Sequence, residues 1–366
     1  MVRGIATALA LMTVVVTGAA AAVRADDARM KVTLVGTGGP EYFPDRLGIS
    51  TLVEANGEML LFDVGRGANQ RLYQSRVNPK DISKIFLTHL HNDHFEGLPD
   101  LWMTPWFLLG RDHGFELWGP EGTAEMVQGM RAMFGHDLKA RVNQFNPIET
   151  LAIQPHIVAE GVVFERNGVK VTAFPVEHAD GNPAFGYRVD WNGRRVVLSG
   201  DTTLSENVIR HGAGADVIVH NVIAFSDRLS QMPEMKGVLA KLTTPEQAAE
   251  VFKRAKPKLA VYSHIVTKEL QGSKGEDQII ARTRAAGLRR AACDGARSHG
   301  AGDHGRREGN SAPVARRPAE SRQQGPAVSV ARSLALMVRS AMGASRTMRA
   351  SCRLILRDAG FARSSG

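Results

Sequence analysis

Cysteine is almost missing from this chain of 366 residues, which has only Cys293 and Cys352. The residues before Cys293 can therefore form no disulfide framework and can offer no thiolate to a metal ion. Any metal site in that part of the chain has to be built from histidine and carboxylate side chains. A body without cysteine is also compatible with an oxidising compartment, although it does not require one.

Lysine is missing from the C-terminal segment, residues 288–366, which is rich in arginine, alanine, glycine and serine. Its 15 arginines and five acidic residues give a net charge of +10, whereas the whole chain carries +9, so the rest of the chain is near −1. We interpret this segment as a disordered tail or as an out-of-frame read of the end of the gene. Because the body is nearly neutral, it lacks the charge that a nucleic-acid partner requires.

Long apolar runs are missing everywhere except at the N-terminus. There Arg3 precedes an apolar run over residues 5–17, and small residues follow as far as Ala25. This order is typical of a cleaved signal peptide, here residues 1–25, with a cut after Ala25 or Ala22. An uncleaved anchor is the alternative, since the apolar stretch is about long enough to span a bilayer. With cleavage, we expect a bacterial protein that is periplasmic or secreted and has no membrane attachment.

Strand patterns separated by glycine turns begin at Met30, and helical patterns lie between them up to about Gly287. Two strand-rich halves with interspersed helices predict one α/β sandwich over residues 30–287, with functional residues on loops at one edge. Within it, residues 98–109 are unusually apolar and aromatic. We expect them to form either core packing or an apolar wall beside the functional site.

Four side chains of metal-binding type lie within six residues: His89, His91, Asp93 and His94. They come directly after a buried-strand pattern at residues 82–88. Two imidazoles two residues apart can face one metal ion, while the following aspartate and histidine turn toward a second. Imidazole nitrogen with carboxylate oxygen suits zinc best, with manganese or iron as alternatives. The cluster therefore predicts a metal site.

Three further residues of ligand type also follow predicted strands. They are His178 after residues 169–176, Asp201 after residues 195–199, and His264 after residues 259–263. Because strand ends at one edge of a sheet lie close together, we expect these three side chains to join the first cluster. An aspartate after glycine is also a common turn residue. Its place in this series nevertheless favours a ligand role for Asp201.

Several short motifs resemble, in the same order, those of the metallo-β-lactamase superfamily, and most closely its ribonuclease Z-like branch. They are the glycine turn at residues 36–40, residues 61–65, 88–94, 97–99 and 119–122, the pair Glu177 and His178 with residues 186–188, residues 200–202, and the pair Val219 and His220. The match covers residues 30–286. The resemblance implies an αββα four-layer sandwich within the α/β class.

The resemblance also implies a dinuclear metal centre. One divalent ion would be held by His89, His91 and His178, the other by Asp93, His94 and His264, with Asp201 as the bridge. Asp63 and His220 resemble residues that orient such ligands, although either could be a buried polar residue without that role. The two ions would be Zn²⁺ in the first place, with Mn²⁺ or Fe²⁺ as alternatives. They would share a bridging hydroxide, and Asp93 and Asp201 would be catalytic residues in the hydrolysis of ester bonds.

Two features depart from the ribonuclease Z pattern. The interval between Tyr187 and Asp201 is a short strand pair, where ribonuclease Z proteins usually carry a long arm that grips RNA. Leu242 stands where that pattern has a histidine that protonates the leaving group, and leucine cannot donate a proton. Either the substrate has a good leaving group, such as a phenolate, or another residue donates the proton, and the loop of residues 225–241 is then its expected source.

Together with the neutral body and the signal segment, these departures predict a small-molecule ester substrate. A phosphodiester or a sulfate ester fits, as for the arylsulfatase-like members of the branch. We expect no nucleic-acid partner, and transfer-RNA 3′ processing is disfavoured. The alternatives are a lactone or thioester hydrolase of the same fold and a metal-binding protein without turnover. The oligomeric state stays open, and a homodimer is compatible with the sequence.

Overall fold

Two β-sheets lie face to face in the computed structural model, which describes residues 30–43, 46–270, 272–288 and 336–338. Six strands of the described residues, β1 to β6, form the first sheet in chain order: Lys31–Gly36, Ser50–Ala55, Glu58–Phe62, Lys84–Phe86, Phe115–Gly119 and Ile153–Ile157. Seven more, β7 to β13, form the second, also in sequential order: Gly161–Arg166, Val169–Val176, Ala184–Trp191, Arg194–Leu198, Val217–Phe225, Leu259–Lys268 and Leu336–Val338.

Each sheet joins antiparallel hairpins to a run of parallel strands. In the first sheet β1, β2 and β3 are antiparallel neighbours, and β3 to β6 run parallel. In the second sheet β7 to β10 are antiparallel neighbours, and β10, β11 and β12 run parallel. Parallel strands end at a common edge, so the loops after their last residues lie side by side.

Helices cover the outer face of each sheet. The helices α1 to α9 are Ala68–Gln74, Leu98–Leu109, Thr123–Met133, Gly135–Arg141, Glu206–Gly212, Asp227–Ser230, Lys236–Leu239, Pro245–Ala255 and Gly272–Ala285. Helices α1, α2 and α3 share an apolar core with the first sheet, and α5, α8 and α9 share another with the second. The order helix, sheet, sheet, helix is the αββα four-layer sandwich, so the predicted fold class is confirmed.

Aromatic side chains fill the space between the sheets. The ring of Phe86 lies 4.9 Å from that of Phe62 and 4.5 Å from that of Trp118, in stacked pairs. Tyr187 in the second sheet packs against Phe62 and Phe86 and donates a hydrogen bond of 2.7 Å to the carbonyl oxygen of Leu87. This bond fixes the chain of the first sheet directly before the histidine cluster.

The apolar segment at residues 98–109 is helix α2, and its large side chains belong to the core. Trp102 and Trp106 are fully buried. Their indole N–H groups donate to the carbonyl oxygen of Leu151 and to the hydroxyl of Thr150, each at 3.0 Å. Of the two interpretations of this segment, the structure supports core packing.

The strand that carries His264 is longer than the sequence pattern predicted. Strand β12 does not end at Ser263 but continues to Lys268, and its pairing with β11 shifts register between His220 and Val222. His264 has a φ of 44°, in the left-handed region. A β-bulge of this kind re-aims one side chain without ending the strand. The expectation of a strand end was therefore wrong in its detail.

None of the helices in the described part of the chain has both the length and the apolar character needed to cross a membrane. The predicted signal peptide, residues 1–25, lies outside the described residues, and so do residues 289–335 and 339–366. Strand β13, from the C-terminal segment, pairs antiparallel with β12, with Val338 opposite Ala260. Cleavage, export and the nature of the C-terminal segment stay predictions.

Candidate metal centre

The seven predicted ligands come from four chain segments and meet at one edge of the sandwich. His89 and His91 follow β4, Asp93 and His94 lie in the short turn Asn92–His94, His178 follows β8, Asp201 follows β10, and His264 sits in the bulge of β12. Three sets of their ligand atoms lie within 4.8 Å of one another: His89, His91 and His178; His89, His94 and Asp201; and Asp93, His94 and His264. The first and third sets match the two groups that the resemblance implied.

Three imidazoles form the first group. The Nε2 atom of His178 lies 3.1 Å from Nδ1 of His91. The Nδ1–H of His178 donates to the carbonyl oxygen of Lys241 at 2.9 Å, which turns Nε2 toward the group. Nδ1 of His89 lies 3.0 Å from the hydroxyl oxygen of Thr88, so Nε2 of His89 faces the group in the same way. His89 and His178 thus each keep one ring nitrogen to bind a metal ion.

Two histidines and an aspartate form the second group. Nε2 of His264 lies 3.1 Å from Oδ2 of Asp93, and Nε2 of His94 lies 3.7 Å from the same oxygen. The Nδ1–H of His94 donates to Oδ2 of Asp63 at 2.9 Å. That contact orients His94, which is the role suggested for Asp63 from the sequence.

Asp201 lies between the two groups. Its Oδ2 atom is 3.2 Å from Nε2 of His264, 3.5 Å from Nε2 of His94 and 3.7 Å from Nε2 of His178. Gly200 precedes it with a φ of 61°, and a Cβ atom there would lie 2.5 Å from the carbonyl oxygen of Phe185. Glycine is therefore required for the turn that delivers this carboxylate.

Several buried polar atoms of the centre have no hydrogen-bond partner among the described residues. They include Nε2 of His89, Nε2 of His94 and Oδ1 of Asp201. A buried polar atom without a partner costs free energy, on the order of 1–3 kcal/mol. All three atoms are of the type that binds divalent ions, and they lie in the clusters described above. The donor set therefore fits divalent metal ions.

The electrostatics of the centre also suit cations. Burial by itself would raise the pKa of Asp201, but the imidazoles of His264 and His94 outweigh it and hold that pKa well below its usual range. Burial opposes a charge on His94, yet the carboxylates of Asp63 and Asp201 raise its pKa well above the usual value. Burial, with His94 beside it, lowers the pKa of His89 far below the usual value. Carboxylates that stay ionised in a buried centre call for nearby positive charge, which divalent metal ions can supply.

Three contributors to this geometry were not assigned a role from the sequence. Thr88 donates its backbone N–H to Oδ1 of Asp63 at 2.9 Å, and its hydroxyl lies 3.0 Å from Oδ2 of the same residue and 3.0 Å from His89. The carbonyl of Lys241 orients His178. At Gly181, a Cβ atom would lie 2.2 Å from Cδ2 of His178. Of the three, only Thr88 had a sequence signal, since it directly precedes the cluster.

His220 lies beneath the centre without touching a ligand atom by hydrogen bond. Its Nδ1–H donates to the carbonyl oxygen of Asn221 at 2.9 Å. Burial lowers its pKa to about 4. With His94 and Asp201 it lines a cavity of about 30 Å³, which is large enough for a water molecule.

Leu242 packs into an apolar cluster beside the centre. It is 6% exposed and contacts Ile223, Phe225 and Val266, while side chains of α6 and α7 cover it. The next residue toward the N-terminus, Lys241, pairs through its ammonium group with Asp180 at 2.7 Å. The predicted donor loop thus folds over Leu242 as short helices, and a donor in that loop stays a prediction.

Comparison with known proteins places this architecture in a family. The model of the "Beta-lactamase superfamily domain" matches residues 59–265. The chain belongs to the metallo-β-lactamase superfamily. Ribonuclease Z of Mycobacterium bovis strain BCG / Pasteur 1173P2 is 34% identical over 263 residues, which cover 70% of this chain and 94% of the relative. Ribonuclease Z of Mycobacterium marinum is 34% identical over 259 residues, covering 69% and 92%.

Solved structures agree with this assignment. Human tRNase Z, short form, has a TM-score of 0.51 and 26% identity, and the match covers 65% of this chain and 95% of that protein. The metallo-β-lactamase fold protein YhfI from Bacillus subtilis has a TM-score of 0.54 at 16% identity, covering 70% and 92%, and shows the fold alone. This metallo-β-lactamase-fold protein is thus a member of the ribonuclease Z-like branch and a metal-dependent hydrolase.

The comparisons overturn two expectations from the sequence. The small-molecule ester substrate and the absence of a nucleic-acid partner were wrong, because relatives that align over more than nine tenths of their length are ribonuclease Z proteins, and human tRNase Z shares the fold. The expectation that transfer-RNA 3′ processing is disfavoured is corrected for the same reason. The error came from treating a missing arm and an average charge as evidence about the substrate, although neither concerns the residues of the centre.

Proposed function

We propose that this protein hydrolyses a phosphodiester bond of RNA with two divalent metal ions. The observation that carries the proposal is the position of Asp201, with one carboxylate oxygen within 3.7 Å of imidazole nitrogens from both ligand groups. A carboxylate shared in this way is the donor arrangement of a two-metal site. The similarity to ribonuclease Z and tRNase Z supports RNA as the substrate.

The ligand set suggests how the ions would be held. His89, His91 and His178 would bind one ion, Asp93, His94 and His264 the other, and Asp201 both. Imidazole and carboxylate donors suit Zn²⁺ best, with Mn²⁺ and Fe²⁺ next. When bound, a pair of such ions would activate water and neutralise charge on the phosphoryl oxygens.

Proton transfer in the reaction depends on side chains of the protein. Asp93 is largely buried, and hydrogen bonding to His264 and the charge of His94 lower its pKa despite the opposing effect of burial. Its carboxylate therefore stays ionised and can accept a proton from the attacking water through Oδ1, while Oδ2 contacts His264. We assign Asp93 and Asp201 as the catalytic carboxylates.

The leaving ribose oxygen also needs a proton, and Leu242 cannot supply it. Lys241 is the candidate donor in this chain, because its ammonium group is held by Asp180 and its carbonyl is held by His178 of the centre. The loss of a dedicated histidine predicts slow turnover on RNA relative to a small diester with a good leaving group. If the predicted signal peptide is cleaved, the RNA substrate lies outside the cytoplasm.

The test is cleavage of a tRNA transcript with a 3′ extension by the full chain loaded with Zn²⁺ or Mn²⁺. We expect cleavage products on a denaturing gel that disappear when a chelator is added. The His89→Ala variant, purified in parallel, controls for contaminating ribonucleases and should be at least about 100-fold slower. RNA cleavage by the wild type at the rate of that variant would refute the proposal.

A further inference from the structure

An open pocket lies at the opposite end of the second sheet from the metal centre. Its volume is about 540 Å³, within the range of ligand-binding sites. The tip of the hairpin between β9 and β10, the turn between β7 and β8, and the loop between α5 and β11 line it. We call it the hairpin pocket.

Five cationic side chains line the hairpin pocket, against three carboxylates. The cations are Lys170, Arg188, Arg194, Arg195 and Lys258, and the carboxylates are those of Glu165, Asp190 and Asp216. The pocket therefore carries an excess of two positive charges, although the body of the chain is near −1. A concave surface with such an excess attracts polyanions.

Buried and shared carboxylates fix the positions of these cations. Asp216 is only 6% exposed; it accepts from the backbone N–H of Arg195 and the ammonium of Lys258, each at 2.8 Å, and lies 3.6 Å from the guanidinium of Arg194. Asp190 accepts from the guanidinium groups of Arg188 at 2.6 Å and Arg195 at 2.9 Å. Because Asp190 and Asp216 each serve more than one cation, their pairing positions the cations without cancelling their charge. Lys170 has a carboxylate partner of its own, Glu165, at 3.3 Å.

The hairpin tip itself is preformed. Asn192 and Gly193 have φ values of 47° and 70°, as expected for a two-residue turn between antiparallel strands. Trp191 also lines the pocket, and its side chain is packed against the core between the sheets.

The rim of the metal centre has no comparable excess in the part of the chain that the structure describes. There each of four cations has a carboxylate partner of its own: Arg66 with Glu96, Lys241 with Asp180, Lys268 with Glu41, and Arg228 with Glu269. The side chains of the rim therefore add little to the attraction that bound metal ions would exert on a polyanionic substrate. A cationic surface away from the centre would add to that attraction.

We propose that the hairpin pocket binds the phosphate backbone of RNA. The choice of RNA as the ligand rests on the proposed function. The charge and the shape of the pocket are observed independently of that function. Arg194 and Asp201 lie seven residues apart, at the two ends of β10 and the turn that follows it, so at most about 23 Å of chain separates them. A folded RNA spans that distance, whereas a dinucleotide or a small diester does not.

The experiment compares two charge-reversal variants of the full, metal-loaded chain. The pocket variant combines Lys170→Glu with Arg194→Glu. In the unchanged protein these two side chains are about half exposed, at 40% and 47%. The matched control is Lys31→Glu with Lys253→Glu, which changes the net charge equally at exposed ion pairs outside the pocket. The measurements are the dissociation constant for the tRNA transcript at several salt concentrations and the hydrolysis of a small bis-aryl phosphodiester.

We expect the pocket variant to bind the transcript at least about tenfold more weakly at 0.1 M salt, with the salt slope reduced by about two. The control variant should bind like the wild type, and both variants should hydrolyse the small diester within about twofold of it. Equal binding by the two variants, or RNA affinity kept in the pocket variant, overturns the proposal. If the wild type binds RNA through the pocket and leaves it uncut, the proposed function fails and the pocket proposal stands.

Discussion

The second sheet carries a different kind of site at each end of β10. At its C-terminal end, Asp201 and the histidines His94, His178 and His264 are buried. Hydrogen bonds within the protein orient His94 and His178. At its N-terminal end, Arg194 and Arg195 lie in an open pocket and are held by ion pairs that water reaches. One end is preorganised and closed, and the other is charged and accessible.

This difference sets how each end should respond to change. A buried donor that loses its partner pays the full cost of desolvation, so single substitutions at the metal centre have large effects. An exposed ion pair contributes on the order of 0–1 kcal/mol and is screened by salt. Effects at the hairpin pocket should therefore be smaller, additive and dependent on ionic strength, whereas effects at the metal centre should persist in high salt.

The largest effect is expected from Asp201→Asn. An amide has no negative charge to hold two cations, so hydrolysis of the small diester should fall by about 10³-fold or more, or about 4 kcal/mol. Asp190→Asn, on β9 beside the N-terminal end of β10, should leave that rate within about twofold. The measurements are kcat/KM and metal content per chain. A comparable loss of rate in both variants would remove the distinction between the two ends.

A smaller effect is expected from Thr88→Val, which keeps the shape of the side chain and removes its hydroxyl. Thr88 links His89 to Asp63, so its loss should weaken metal binding by about 10–100-fold through poorer orientation of the imidazole. The matched control is Thr172→Val, since the buried hydroxyl of Thr172 has no hydrogen-bond partner among the described residues. Competition with a chromophoric chelator measures the affinity, and unchanged affinity in Thr88→Val would show that Thr88 does not position His89.

Much of the metal centre could be predicted from the sequence because its residues follow strands directly. The cluster from His89 to His94 is local, and the positions of His178 and Asp201 after strands placed them at the same edge. The position of His264 could not be derived in detail, because its bulge depends on the register between β12 and β11, a property of two strands. Its ligand type was visible in the sequence, but its backbone geometry was not.

The hairpin pocket shows why charge averaged over a chain is a poor guide to partners. Lys170 and Lys258 are far apart in sequence, and Lys170 belongs to no basic run. Only the packing of β8, the β9–β10 hairpin and the loop before β11 gathers them on one surface. A neutral body can therefore hold a cationic pocket, so a net charge near zero does not exclude a nucleic-acid partner.

The smallest of these effects concerns pH and the buried His220. Burial lowers the pKa of His220 from 6.5 to about 4, so between these values the unfolded chain binds a proton that the folded chain does not. The free energy of unfolding should then fall as pH falls through this window, and His220 should account for about 2 kcal/mol of the loss between pH 7 and pH 5.

His220→Gln should remove that part of the pH dependence, measured by urea unfolding of the chelator-treated protein. His211→Gln, near the hairpin pocket, should remove less, because His211 is only partly buried. Equal slopes for His220→Gln and the wild type would mean that His220 takes up its proton in the folded protein.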